Sequence, residues 1–168
     1  FISHHWKKSL SKNGFIRRIM IGWMQNWDTL SHRCEESKWF AQMSLPRELS
    51  VKNGRLYQKP VRELDAIRKN KTEYRNVVVK DKPVMLKGVQ GRTIDMELAI
   101  SPEDKETGYG KFTVCFAQNE KFHTELSFCP EDSVLKLDRK LSGSRRAVVH
   151  EKSCLVNRKT DELKLRMI

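Results

Sequence analysis

From Arg92 to Ile168 the chain repeatedly places an apolar residue at every second position. In the run 92–100, Ile94, Met96, Leu98 and Ile100 fall on one side, and Thr93, Asp95, Glu97 and Ala99 on the other. Phe112, Val114 and Phe116 repeat the pattern, followed by Phe122, Leu126 and Phe128, then Leu135 and Leu137, then Leu163, Leu165 and Met167. A period of two belongs to strands with one buried face. A register slip of one residue would turn every apolar side chain outward, so this pattern specifies pairing strongly. The turn-forming stretches "SPEDKETGYG", "QNEK", "CPED" and "LSGS" separate the runs. Short strands spaced in this way predict an antiparallel β-sandwich. Cys115 and Cys129 fall inside strand-like runs and are expected to be buried thiols.

The first sixty residues follow another pattern. "FIRRIMIGWM" is apolar on both faces, with Ile19, Ile21 and Trp23 on one and Met20, Gly22 and Met24 on the other, which suits a strand covered on both sides. Asn53-Gly54 sits between "RELSVK" and "RLYQKPV". Both residues tolerate positive φ, so a hairpin with a type I′ turn is predicted there. Pro60 then stands near a helix start, with Val61, Leu64 and Ile67 at helical spacing. A basic, polar stretch follows. The chain is therefore divided into residues 1–60, a short helix and linker over 61–75, and a sandwich over 76–168.

Several function classes find little support. Lys plus Arg is 33 against 21 for Asp plus Glu, a net charge of +12. These charges are scattered rather than clustered in a basic helix or stripe, so a solvated basic surface is expected and no nucleic-acid partner. The four cysteines, Cys34, Cys115, Cys129 and Cys154, form no C-x-x-C pair, which argues against zinc and redox sites and fits a reducing, cytoplasmic compartment. No stretch approaches the ~18 apolar residues of a transmembrane helix. His4-His5 resembles a metal pair, but neighbouring strand residues point to opposite faces. No metal, cofactor or complete catalytic constellation is expected from the residues themselves.

The sharpest feature is "IMIGWMQNWDTL". Gly in a strand often marks a close approach by a ligand or another backbone, and two Trp sit within five residues of it. Trp23, Gln25, Asn26 and Trp27 combine flat aromatic faces with amides, a composition suited to a sugar ring. The alternative is a structural corner in which both Trp are core residues, since Trp is mostly buried.

"RRIMIGWMQNWDTL", followed by "WFAQMSLPRELSVKNGRLYQKPVREL", resembles the end of the catalytic domain of the invertase-type β-fructosidases, glycoside hydrolase family thirty-two. Gly22, Trp23, Met24, Asn26 and Trp27 match that family's I-G-W-M-x-N-W strand. Residues Met43 to Leu49 match M-[ST]-L-P-R-E-L, and Pro60, Val61, Glu63 and Leu64 match P-V-x-E-L. The later run through "DELKLRMI" is similar to the family's C-terminal sandwich. The resemblance implies an all-β chain: the last blade of a five-bladed propeller, then an antiparallel sandwich, both incomplete. It implies hydrolysis of sucrose, sucrose 6-phosphate or fructans with retention, and a substrate-side role for Trp23, Asn26 or Trp27.

Retention requires a nucleophile and a general acid about 5 Å apart. In this family those carboxylates lie in W-M-N-D-P-N-G, R-D-P and E-C motifs, and none of these occurs here. The polypeptide alone is therefore expected to be inactive. It begins at Phe1 and ends on an apolar strand-like run, whereas termini are ordinarily polar and loosely held. A piece of a longer chain is expected, with uncovered strand edges inclined to self-association. Two other readings stay open: a non-catalytic carbohydrate-binding module, and a basic sandwich that binds a polyanion.

Overall fold

A computed structural model of the chain describes residues 5–10, 16–24, 42–143, 149–156 and 162–168. Two compact units divide it, Phe1–Lys71 and Thr72–Ile168. The described residues are almost wholly strand, turn and loop.

The first unit is a four-stranded antiparallel meander, ordered β1 (His5–Leu10), β2 (Ile16–Ile21), β3 (Arg47–Lys52) and β4 (Arg55–Pro60). Such a sheet has the form of one propeller blade. The turn between β3 and β4 is the predicted one: Asn53 and Gly54 have φ of 50° and 72°, both on the positive side as type I′ requires. It sets the register from Lys52 opposite Arg55 to Arg47 opposite Pro60. The Val61 amide then donates to the Pro46 carbonyl at 3.1 Å, carrying the ladder past Pro60. A single helical turn, α1 (Glu63–Ile67), follows. In β2, Met20 is buried while Ile19 and Ile21 are half-buried. The expected cover on both faces is thus partial among the described residues.

The second unit is a sandwich of two antiparallel sheets. β5 (Met96–Ile100) pairs with β10 (Leu163–Met167), while β6 (Phe112–Phe116), β7 (Thr124–Cys129), β8 (Val134–Asp138) and β9 (Glu151–Leu155) form a four-stranded meander. Alternation explains the packing. In the small sheet, Leu163 faces Ile100 and Leu165 faces Leu98. In the large one, Phe112 faces Phe128, which in turn faces Leu135. Ile100, Phe128 and Leu163 form the core, with Leu98, Tyr109, Phe112, Leu135 and Val156 packed against them. Phe128 is 1% exposed, and burying a side chain of that size stabilises by about 1.5–3 kcal/mol.

Two expectations are corrected here. Cys115 is exposed and Cys129 only half-buried, because Cys115 lies opposite Glu125 on the polar face of the sheet. Phe122 does not continue β7. The Asn119 Oδ1 atom accepts from the Lys121 and Phe122 amides, both at 2.8 Å, and closes a turn there. The Phe122 ring lies over Gly143, whose φ is +78° and where an added Cβ would come within 3.2 Å of the ring.

Candidate functional site

The ladder between β2 and β3 continues beyond both strands. The Ser44 amide donates to the Gly22 carbonyl at 2.7 Å, and the Met24 amide to the Gln42 carbonyl at 2.8 Å. The Gly22 amide donates to the Ser44 hydroxyl oxygen at 3.0 Å. Trp23 and Met43 form an antiparallel bridge between these bonds. The "GWM" and "MSL" segments, twenty residues apart in sequence, are therefore held side by side by backbone pairing and one serine side chain. Trp23 is 38% exposed, Met24 64% and Met43 57%. The strand end thus presents an aromatic ring and two thioethers rather than a closed core.

Of the predicted substrate-side residues, Trp23 is at this strand end. Asn26 and Trp27 lie outside the described residues, as do Gln25, His4 and Cys34. Gly22 shows no steric need to be glycine among the described residues: an added Cβ would stand 3.8 Å from the Ser44 hydroxyl, an ordinary contact. The close approach expected at this glycine is not made by those residues.

Near the start of β2 lies a charged cluster that sequence reasoning missed. Arg17 in β2 is buried. Its Nε and Nη2 donate to Glu48 Oε2 at 3.0 and 2.8 Å, and its Nη1 and Nη2 donate to Glu63 Oε1 and Oε2 at 2.5 and 3.1 Å. Arg62 Nη2 donates to Glu48 Oε1 at 3.2 Å. Hydrogen bonds from Arg17 hold the Glu63 carboxyl at about 2 and lower that of Glu48 against the opposing effect of its burial. The same bonds, Glu63 first, raise the Arg17 guanidinium. Glu48 and Glu63 belong to the two R-E-L sequences of the chain, so one arginine ties both motifs together. The available signal was Arg17 itself, alternating with Ile19 and Ile21 on a face that should be apolar. A buried arginine requires carboxylate partners.

No group of three or more His, Cys, Asp or Glu among the described residues could hold a metal ion. In the second unit an open groove of about 200 Å³ is lined by Leu126, Leu135, Leu137, Lys152, Ser153 and Cys154. It holds no carboxylate and offers no acid–base pair. No helix among the described residues is long and apolar enough to cross a membrane.

Comparison with known proteins gives these features a family. Residues 6–60 match the glycosyl hydrolases family 32 N-terminal domain, and residues 63–168 match the glycosyl hydrolases family 32 C terminal. The chain is 34% identical to sucrose-6-phosphate hydrolase of Escherichia coli over 97 residues, covering 58% of this chain and 20% of that protein. It is 30% identical to levanase of Bacillus subtilis (strain 168) over 135 residues, covering 76% of this chain and 19% of that one. Its fold matches sucrose-6-phosphate hydrolase from Lactobacillus gasseri with a TM-score of 0.67 at 19% identity, over 98% of this chain and 31% of that chain. The chain thus spans about a fifth of the length of these curated relatives. With both of its units matched in sequence order, the chain belongs to glycosyl hydrolase family 32.

Proposed function

We propose that this chain is the last blade and accessory sandwich of an enzyme that cleaves β-fructosidic bonds in sucrose, sucrose 6-phosphate or fructans with retention. Residues 1–60 end the catalytic propeller, residues 61–75 connect, and residues 76–168 form the sandwich. The compact units meet at Lys71 and Thr72, inside that connector, which supports the division. Trp23, Asn26 and Trp27 line the sugar side. The observation that carries this reading is the pairing of Gly22, Trp23 and Met24 with Gln42, Met43 and Ser44. It places the two family motifs on one ladder and leaves the Trp23 ring half open. An aromatic face of this kind suits the C–H surface of a furanose, and residues that touch substrate orient it for attack.

The carboxylates of a retaining mechanism are supplied in this reading by the rest of the enzyme, and this chain shapes the wall they face. The free thiols of Cys115, Cys129 and Cys154 support a cytoplasmic location. Among the described residues each strand of the β5–β10 sheet pairs only with the other, which supports self-association of the isolated chain through the open edges, and light scattering measures it.

A chimera tests the function. The matching C-terminal region of the Escherichia coli sucrose-6-phosphate hydrolase is replaced by residues 6–168. The chimera is expected to release fructose from sucrose 6-phosphate, and Trp23→Ala is expected to reduce kcat/KM about tenfold or more. A folded chimera without activity, or one indifferent to Trp23→Ala, would count against the reading.

A further inference from the structure

The two segments that carry the candidate site do not pair in a single register. Between Met20 and Trp23 stand two residues, Ile21 and Gly22. Between their partners, Arg47 and Met43, stand three: Ser44, Leu45 and Pro46. One extra residue on one side of an antiparallel pair is a β-bulge, a local device that re-aims side chains. Pro46 suits it, because proline has no amide to give to a ladder. The Pro46 carbonyl turns to the β4 side, where it accepts from the Val61 amide at 3.1 Å.

A bulge interrupts the ladder, and here the Ser44 hydroxyl fills the interruption. The bonds from the Ser44 amide to Gly22 and from the Met24 amide to Gln42 flank Trp23 and Met43. That makes Trp23 and Met43 a non-hydrogen-bonded pair, the type with Cα atoms about 4.5 Å apart and side chains closest. Regular pairing would then bring the Gly22 amide to the Ser44 carbonyl. It donates instead to the Ser44 hydroxyl oxygen at 3.0 Å, and that hydroxyl donates onward to the Leu45 carbonyl at 3.2 Å. One half-buried side chain thus serves a donor on one segment and an acceptor on the other. Continued without the bulge, the β2–β3 register would set Ser44 opposite Trp23. With it, Met43 stands there, and directly opposite residues share a face.

We propose that Ser44 is a positioning residue of the sugar-binding wall: its hydroxyl holds the bulge that sets Met43 beside Trp23, and so fixes the aromatic face presented to substrate. The positioning role rests on the reading that Trp23 lies on the sugar side. Ser44→Ala removes no bulk that the site needs, but it leaves the Gly22 amide and the Leu45 carbonyl without their bridge. The pairing then regains a direct bond only by moving the extra residue, which turns a different side chain towards Trp23. Threonine keeps the hydroxyl and favours strands, so Ser44→Thr should keep the register.

Nuclear magnetic resonance on the 168-residue chain reads the register without any activity. The wild type should show a cross-peak between the Trp23 and Met43 Hα protons, as a non-hydrogen-bonded pair requires. Ser44→Ala is expected to lose that cross-peak and to speed exchange of the Gly22 amide about tenfold, while the Arg18, Ile19 and Met20 amides of β2 stay at the wild-type rate. Ser44→Thr should keep the cross-peak and the slow Gly22 exchange. A persistent cross-peak with unchanged Gly22 exchange in Ser44→Ala would overturn the proposal. Equal acceleration along β2 would overturn it too, since the hydroxyl would then support the whole sheet rather than the bulge. In the chimera, Ser44→Ala is expected to raise KM about fivefold or more with kcat held within about twofold, and Ser44→Thr to restore KM. A shifted register with unchanged KM would overturn the positioning role. A parent chimera without activity would overturn that role together with the proposed function, while the register result would still decide whether Ser44 holds the bulge.

Discussion

Arg166 grips Asp95 through a two-point fork, with Nε to Oδ1 at 2.9 Å and Nη2 to Oδ2 at 2.7 Å. Asp95 immediately precedes β5 and Arg166 lies in β10, so the fork fixes the register of a sheet that has only two strands. A planar guanidinium matches a carboxylate at two points, whereas an ammonium matches at one. Arg166→Lys is expected to lower stability by about 0.5–1 kcal/mol and Arg166→Met by about 1–2 kcal/mol. Urea unfolding of the chain measures both, and equal stability of the lysine variant and wild type would refute the two-point account.

Phe128 is the most completely enclosed large side chain among the described residues of the second unit. Phe128→Ala should cost about 3–5 kcal/mol, the usual range for a buried aromatic truncated to alanine. Leu137, on the same sheet face and lining the open groove, should cost less when truncated. The comparison of the two midpoints is the test. A larger loss at Leu137 would mean that the groove is filled in solution.

Acid should weaken the first unit through Glu63. Its folded carboxyl titrates at about 2, below an unfolded value of about 4.3. Its contribution is therefore present above the unfolded value and is lost as pH falls from there towards 2. The groups that face it are Arg17, Arg62 and, across the guanidinium, Glu48. Glu63→Gln should flatten the dependence of melting temperature on pH between about 4.5 and 2 relative to wild type. Parallel wild-type and variant curves over that window would exclude Glu63 as a source. Glu151, lowered to about 2 by hydrogen bonds from Lys136 and then Lys140, supplies a second slope in the other unit that the variant should leave in place.

The isolated polypeptide should release no fructose from sucrose, sucrose 6-phosphate or levan above a buffer blank. General acid catalysis alone is worth about 10²–10⁴-fold, and the nucleophile motif is missing as well. A reducing-sugar assay at high protein concentration decides this, and turnover that follows the protein through purification would contradict it.

The period-two runs were legible because each of β5, β6, β7, β8 and β10 has one face in the sandwich core, and burial writes alternation into the sequence. The Asn53-Gly54 turn was legible because its backbone signs are set by those two residues alone. β9 was not read. Its sequence, EKSCL, shows no alternation, and Leu155 is 80% exposed. Pairing with β8 and the bonds from Lys136 and Lys140 to Glu151 hold it in place, so the information that specifies it lies on other strands. Arg17 escaped for the same reason, with partners 31 and 46 residues away. At the candidate site, the Trp23 position followed from local pattern and family resemblance. The serine clasp on Gly22 depends on a loop return that no local pattern encodes.

The pairing of β5 with β10 also sets an order of events during synthesis. Ile100 opposite Leu163 closes a loop of more than sixty residues, a long-range contact that forms only after its entropic cost is met. A ribosome makes the chain from its N-terminus. The β6–β9 meander can therefore pair as it emerges, while Ile100 and Phe128 wait with their core uncovered until β10 is out. For that interval the second unit is a one-sided sheet, open to any apolar surface nearby. Nascent chains stalled where β6–β9 have emerged and β10 is still inside the ribosome should bind a hydrophobic dye that chains stalled far enough on to release β10 exclude. Equal dye binding at the two stall points would show that the sandwich closes by another route.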